Sequence, residues 1–281
     1  VVRNERFFRR KGISWKRITS SENTIRYLPE NFIFDQSADS LFPKSDGMFN
    51  YLLGIFNSKV ISSLLEIFSA TLNLTSGSVS DIPIVFSEKN KTKIDELVID
   101  CISISKKNWD MHETSWDFKY SPLLANKSDG LIASAYESYK TQVNERFMKL
   151  KENEEELNRI FIEIYGLGDE LTSDVLDKDI TVAKIFDKKE DIDEGIKGNK
   201  YIMTREDVVK NYLSYFVGCL MGRYSLDVEG LAYAGGDFDL DKYSSFNVDV
   251  DGVLPLTDAQ YFEEDIVEIF IQFLKVTFGE E

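Results

Sequence analysis

Residues 131–166 read LIASAYESYKTQVNERFMKLKENEEELNRIFIEIYG. Ile132, Tyr136, Tyr139, Val143, Phe147, Leu150, Leu157, Phe161 and Ile164 step along it by threes and fours, with Glu154 interrupting the seam. Side chains three and four apart stand on one face of an α-helix. Gly166 supplies the residue that most readily takes the left-handed conformation closing a helix. The pattern predicts a helix of about nine turns. Such a helix exceeds what an average globular core covers. It calls for a partner helix along most of its length, as in an antiparallel spacer.

Working outward, residues 1–45 read as short strands and turns, with Ile25-Arg-Tyr27 and Phe32-Ile-Phe34 parted by the turn cluster Pro29-Glu-Asn31. A helix is expected over Met48–Phe68, a loop over Thr71–Ser80, and an extended segment over Asp81–Phe86. Lys91–Asn108 predicts a second helix with Ile94, Leu97, Val98 and Cys101 or Ile102 inward. The Trp109–Phe118 cluster that follows is non-helical, and Trp109 and Trp116 are expected in the core. Residues 169–203, acidic and Lys-rich, read as a mobile excursion. Thr204, with Asp207 three residues on, opens a helix whose inner face is Val209, Tyr212, Leu213, Phe216, Val217, Leu220, Met221 and Tyr224. Thr257 with Gln260 is expected to cap a last helix, with Ile266, Ile269, Phe270, Phe273 and Leu274 inward. The fold class is α+β and helix-dominated: a small mixed unit (1–86), a helical spacer (87–168) and an acidic C-terminal helical unit (169–281).

The 281 residues carry 20 Phe, 13 Tyr and 3 Trp, ample for a sizeable core. No apolar run reaches the ~20 residues of a membrane span. Two cysteines, Cys101 and Cys219, exclude a disulfide scaffold and fit a reducing cytoplasm. A single histidine, His112, excludes a Cys/His zinc finger and is expected to serve a structural hydrogen-bonding role. The first residue is Val1 rather than Met, as in a piece of a longer protein.

The net charge of −16 should repel nucleic acid, yet its distribution is uneven. Residues 1–26 hold eight cations against two acids, and the other 255 residues hold 25 against 47. Arg3, Arg6, Arg9, Arg10, Lys11, Lys16, Arg17 and Arg26 form this basic arm, with Trp15 among them. Alternating aromatic and cation is the composition of a surface that contacts phosphates and bases. These nine residues are the candidate DNA-binding set. The same charges also fit a solvated chain end.

Catalytic signatures are missing. The chain has no Gly-x-x-x-x-Gly-Lys, no Gly-x-Ser-x-Gly and no Glu-x-Lys, and Gly166-Leu-Gly168 lacks the third glycine of a dinucleotide site. Its five prolines are isolated, so no Asn-Pro-Pro-aromatic motif exists. Asn247, Asp249, Asp251, Gly252 and Asp258 match calcium-loop positions one, three, five, six and twelve. Pro255 at position nine and the absence of a preceding helix favour an acidic turn, and no metal ligand is assigned.

Several longer runs carry a resemblance. Gly12-Ile-Ser-Trp15-Lys-Arg-Ile18, Ile25-Arg-Tyr-Leu-Pro29, Asn31-Phe-Ile-Phe-Asp35, Leu52-Leu-Gly-Ile-Phe-Asn57-Ser58-Lys59 and Thr71-Leu-Asn-Leu-Thr-Ser-Gly77 before Asp81-Ile-Pro83-Ile84 resemble the target-recognition region of adenine-specific DNA methyltransferases. Downstream, the Trp109–Phe118 cluster, Asn153–Thr172, Val217–Asp227 and Tyr233-Ala-Gly-Gly236 resemble the C-terminal half of the methyltransferase of BREX, the bacteriophage-exclusion system also called phage growth limitation. The resemblance implies a parent enzyme that uses S-adenosylmethionine to methylate adenine in double-stranded DNA. The catalytic half would lie in a missing N-terminal methyltransferase domain, so this chain would hold neither catalytic residue nor cofactor. Two rival readings stay open: an acidic module docking other phage-defence subunits, and the specificity part of a type II restriction–modification fusion. An upstream methyltransferase in the genomic reading frame would favour the first reading.

Overall fold

The long helix forms as one element, α6, in the computed structural model of the chain, which describes residues 4–17, 25–35, 37–68, 74–249, 251–258, 261 and 265–279. In chain order the strands are β1 (Gly12–Lys16), β2 (Arg26–Leu28), β3 (Ala38–Leu41), β4 (Lys184–Phe186) and β5 (Ile202–Thr204). The α-helices are α1 (Phe49–Phe56), α2 (Lys59–Phe68), α3 (Ser76–Ser80), α4 (Glu88–Asp110), α5 (Pro122–Ala125), α6 (Ile132–Tyr165), α7 (Arg205–Leu220) and α8 (Ile266–Phe278). The fold is α+β and helix-dominated.

Packing groups the chain into two compact units, residues 1–104 with 149–176, and residues 105–148 with 177–281. This partition cuts across the serial three-part division, because α4 and α6 each have one end in each unit. The first unit holds an antiparallel sheet of order β2-β1-β3, with Ile13 opposite Tyr27 and Leu41. Its core joins Ile13 and Trp15 of β1 to Tyr51 and Ile55 of α1, Ile94 and Val98 of α4, and Leu157 and Phe161 of α6. Gly54 allows this convergence, since a Cβ there would lie 2.9 Å from Val98. The second unit buries Tyr136, Tyr139 and Val143 of α6 with Tyr212, Phe216 and Leu220 of α7 and Phe273 of α8.

The apolar face of α6 is therefore covered by different elements in each unit, rather than by one partner along its length. Asp129 accepts the Leu131 amide just ahead of the helix (3.0 Å). Gly166, at φ +67°, ends it, with Leu167 N–H donating to the Ile162 carbonyl (3.0 Å).

Several expectations require correction. The Met48–Phe68 helix is broken at Asn57-Ser58, where the Asn57 amide donates to the Leu53 carbonyl (2.9 Å) and the Ser58 hydroxyl to that of Ile55 (2.7 Å). Short polar side chains compete in this way with the helix's own backbone bonds. Phe32–Phe34 forms no strand, and the partners of β1 are β2 and β3.

Residues 169–203 are no excursion. They include β4, paired in parallel with β5, and bury Ile180, Val182, Ala183, Ile185 and Ile196. Asparagines on the helices satisfy this segment's backbone. Asn108 accepts from Ala183 N–H (2.9 Å), and Asn144 both accepts from Ile185 N–H (2.9 Å) and donates to its carbonyl (3.2 Å).

α7 opens as expected, with the Asp207 carboxylate accepting from Thr204 N–H (2.7 Å). It is rotated from the expected face: Val208, Tyr215 and Cys219 are buried, while Val209, Leu213, Val217 and Met221 are exposed. Gly218 lets the Tyr224 ring close over the helix end, where a Cβ would lie 2.5 Å from the ring. Asp265 caps α8, accepting from Val267 N–H (2.9 Å), and Thr257 donates to Asp265 instead of capping. Gln260 lies outside the described residues. No described helix is long and apolar enough to cross a membrane.

Candidate nucleic-acid interface

Strand β1 organises the basic arm. Its side chains alternate between two faces, so Ile13 and Trp15 point into the core while Lys16 is exposed. This corrects the base-stacking role expected of Trp15. Its ring is 3% exposed, and its indole N–H donates to the Leu74 carbonyl (3.0 Å). Gly12 packs against Phe42, whose ring a Cβ would meet at 2.8 Å.

The cations remain at the surface: Arg6, Arg9, Arg10, Lys16, Arg17 and Arg26 are exposed, and Lys11 is half-buried. Arg3 lies outside the described residues. The Arg6 and Arg10 guanidiniums sit 4.8 and 5.7 Å from the Phe7 ring centre, and the Lys11 ammonium 5.0 Å from that of Phe49. Aromatic faces attract cations without neutralising them. Arg17 is held through its backbone, which accepts from Leu74 N–H (2.9 Å) and donates to Ser37 (3.3 Å). Asp35 accepts from the Ser37 amide and hydroxyl, which hold its carboxyl below the usual range, and Asp39 accepts from Ser76 N–H (3.0 Å).

Two residues that the sequence reading did not count among the DNA-binding candidates stand beside the arm. Phe32 and Ile33 are 49% and 66% exposed. Arg9 N–H donates to the Phe32 carbonyl (2.9 Å), and Asn31 N–H donates to the Arg9 carbonyl (3.2 Å). Arg9 and Asn31 both have left-handed backbone, at φ +63° and +71°. An apolar pair directly after a Pro-Glu-Asn turn was the available signal.

Trp109 and Trp116, expected in the core, are both exposed, Trp116 at 93%. Trp109 lies in the last turn of α4, and in the stretch from it to Phe118 the buried positions belong to Ser115 and Phe118, with Ser115 donating to Asp110 (2.8 Å). His112 is half-buried at a cleft of about 260 Å³ that also includes Glu113, Asn211 and Tyr215. Burial holds its imidazole below the ordinary value of 6.5. Burial also pushes the thiols of Cys101 and Cys219 up to about 12, which leaves them protonated and unreactive at neutral pH.

In the calcium-like stretch, Asp249 accepts from Gly252 N–H (2.5 Å) and Asp251 from Val253 N–H (2.9 Å). These carboxylates cap their own turn. Among the described residues, no group of three or more His, Cys, Asp or Glu is placed to hold a metal ion.

No protein-family model matches the chain. Adenine-specific methyltransferase PglX of Lacticaseibacillus casei (strain Zhang) is 36% identical over 284 residues, covering 99% of this chain. Adenine-specific methyltransferase BrxX of Escherichia coli O9:H4 (strain HS) is 32% identical over 290 residues, covering all of it. The chain spans only 22% and 23% of the length of these relatives. From end to end, and in agreement with the motifs, the chain is homologous to somewhat under a quarter of each of these two adenine-specific methyltransferases.

Proposed function

We propose that this chain is the DNA target-recognition portion of an adenine-specific methyltransferase of a BREX phage-defence system, working in the cytoplasm beside a catalytic domain that lies outside it. One observation carries the reading: a chain of net charge −16 presents six exposed cations along residues 6–26, anchored on a β-sheet. Arginine pairs with guanine through two parallel hydrogen bonds, and Lys and Arg neutralise phosphates. Arg9, Arg10 and Arg17 fit either role, and Lys16 fits a phosphate contact. Double-stranded DNA is the partner.

The methyl donor is S-adenosylmethionine, bound by the rest of the parent enzyme. Strand β5 runs into α7 at Thr204 with no glycine at the turn. It therefore lacks the glycine-rich cradle that strand-to-helix turns offer a nucleotide cofactor, and no step of methyl transfer is assigned to this chain.

Charge reversal at Arg9, Arg10 and Arg17 in the full-length enzyme tests the reading. Each lost phosphate contact should flatten the dependence of log affinity on log salt by about 0.9. A lost guanine contact should cost roughly 1–3 kcal/mol and relax one position of the site. Unchanged affinity, salt slope and site preference in all three variants would make the arm a solvated segment. The alternative is an acidic module that docks other defence subunits. It is favoured by Val209, Leu213 and Val217 of α7 and Met221 at its end, exposed at four-residue steps.

A further inference from the structure

We propose that Phe32 and Ile33 form an apolar wedge that enters double-stranded DNA between neighbouring base pairs, an inference that rests on the DNA-reading role of the arm. Single exposed apolar residues are ordinary on protein surfaces. Here two consecutive ones are held at a rigid turn. The turn is fastened to Arg9 by two backbone hydrogen bonds, Arg9 N–H to the Phe32 carbonyl (2.9 Å) and Asn31 N–H to the Arg9 carbonyl (3.2 Å).

Behind the turn, Phe34 meets Phe8 edge-on at 5.2 Å and Phe42 at 5.4 Å, and Phe42 stacks on Phe7 at 5.0 Å. That aromatic base also carries Arg6 and Arg10, over Phe7. Phe34 therefore serves the packing of this corner. Phe32 and Ile33 are left outward, on the peptides that Arg9 grips.

The occupant follows from charge. An apolar tip among Arg6, Arg9 and Arg10 suits a partner with an anionic surface and an apolar interior reached between its charges. Duplex DNA has both, in its phosphates and its stacked bases. Phe and Ile are among the side chains that proteins insert at base steps, unstacking them and kinking the duplex while cations hold the flanking phosphates. Arg9 and Arg10 would take those phosphates.

The test uses the full-length methyltransferase. Its motif is first mapped by sequencing methylated adenines. A 30-bp duplex carrying that motif is then made with 2-aminopurine placed in turn at each position within and beside it, the target adenine excepted. The wild type should raise fluorescence at one step, where the wedge parts the stack. Phe32→Ala with Ile33→Ala should abolish that rise and weaken binding by about tenfold at an unchanged salt slope. Phe32→Leu with Ile33→Leu should retain most of both. Absence of the rise in the wild type, or its persistence in the double alanine variant, overturns the wedge. The outcome for Arg9→Glu with Arg10→Glu separates the two ideas. Weakened binding with an unchanged alanine variant removes the wedge alone, whereas unchanged binding removes the arm's role and the wedge with it.

Discussion

Trp15 and Trp116 exchange the roles that their neighbours suggest. Trp15 lies among five cations within residues 9–17, yet strand alternation turns it inward. Trp116 lies in an aromatic cluster, yet the turn around Ser115 leaves it outward. Trp15→Ala should therefore destabilise the fold by about 3–5 kcal/mol, the usual cost of emptying a large aromatic site. Trp15→Phe should cost about 1–3 kcal/mol by leaving the Leu74 carbonyl without its donor. Urea unfolding measures both, and a loss of DNA affinity without a loss of stability would contradict this assignment. At Trp116, acrylamide quenching should fall sharply when the ring is replaced by Phe.

Asp187 is a second case in which environment outweighs residue type. It accepts hydrogen bonds from Tyr136 (2.9 Å), Lys140 (2.5 Å) and Arg205 (2.8 Å). The Lys140 bond leads in holding its carboxyl far below the ordinary 3.8, followed by those of Tyr136 and Arg205. A carboxylate with a lowered folded-state pKa stabilises the protein above the ordinary value and loses that contribution as the pH falls below it. Asp187→Asn should lower Tm at pH 7, and the gap to the wild type should narrow as the pH falls below about 4. A gap that stays constant from pH 7 to 2 would show that the hub does not couple to folding.

At the scale of elements, asparagine decides what hydrophobic patterning does not. Residues 169–203 have little apolar periodicity, yet they pack because helix side chains complete their backbone hydrogen bonds. Asn144 does so twice at Ile185, in the manner of a neighbouring strand. Asn144→Ala should leave that amide and carbonyl unsatisfied, at about 1–3 kcal/mol. Hydrogen exchange at Ile185 should then speed up by on the order of 10- to 100-fold, with the α1 amides unaffected. Equal exchange in variant and wild type would mean that the β4–β5 pairing alone holds the segment.

Across the whole molecule, the two long helices take part in both compact units, so cutting the chain into serial domains would divide both cores. The basic arm belongs to the first unit, where Lys16 and Arg26 lie on β1 and β2 and the other described cations flank β1. Its charge excess was plain from counting residues. The exposure of Phe32 and Ile33 after the Pro29-Glu-Asn31 turn was not, because it depends on backbone bonds to Arg9, more than twenty positions away.

The sequence alone determined α6, its closure at Gly166, the inward residues of α4 and α8, the helix-dominated class and the family motifs. These rest on local periodicity, on glycine's access to the left-handed region, and on residue identity, none of which needs a distant partner. Only the tertiary structure decided that Trp15 is buried, that α7 turns Tyr215 and Cys219 inward, that residues 169–203 are packed, and that the two halves of α6 serve different cores. Each of these depends on contacts far apart in the chain. Whether an apolar side chain is covered, or a backbone amide satisfied, is settled by which element the fold brings against it.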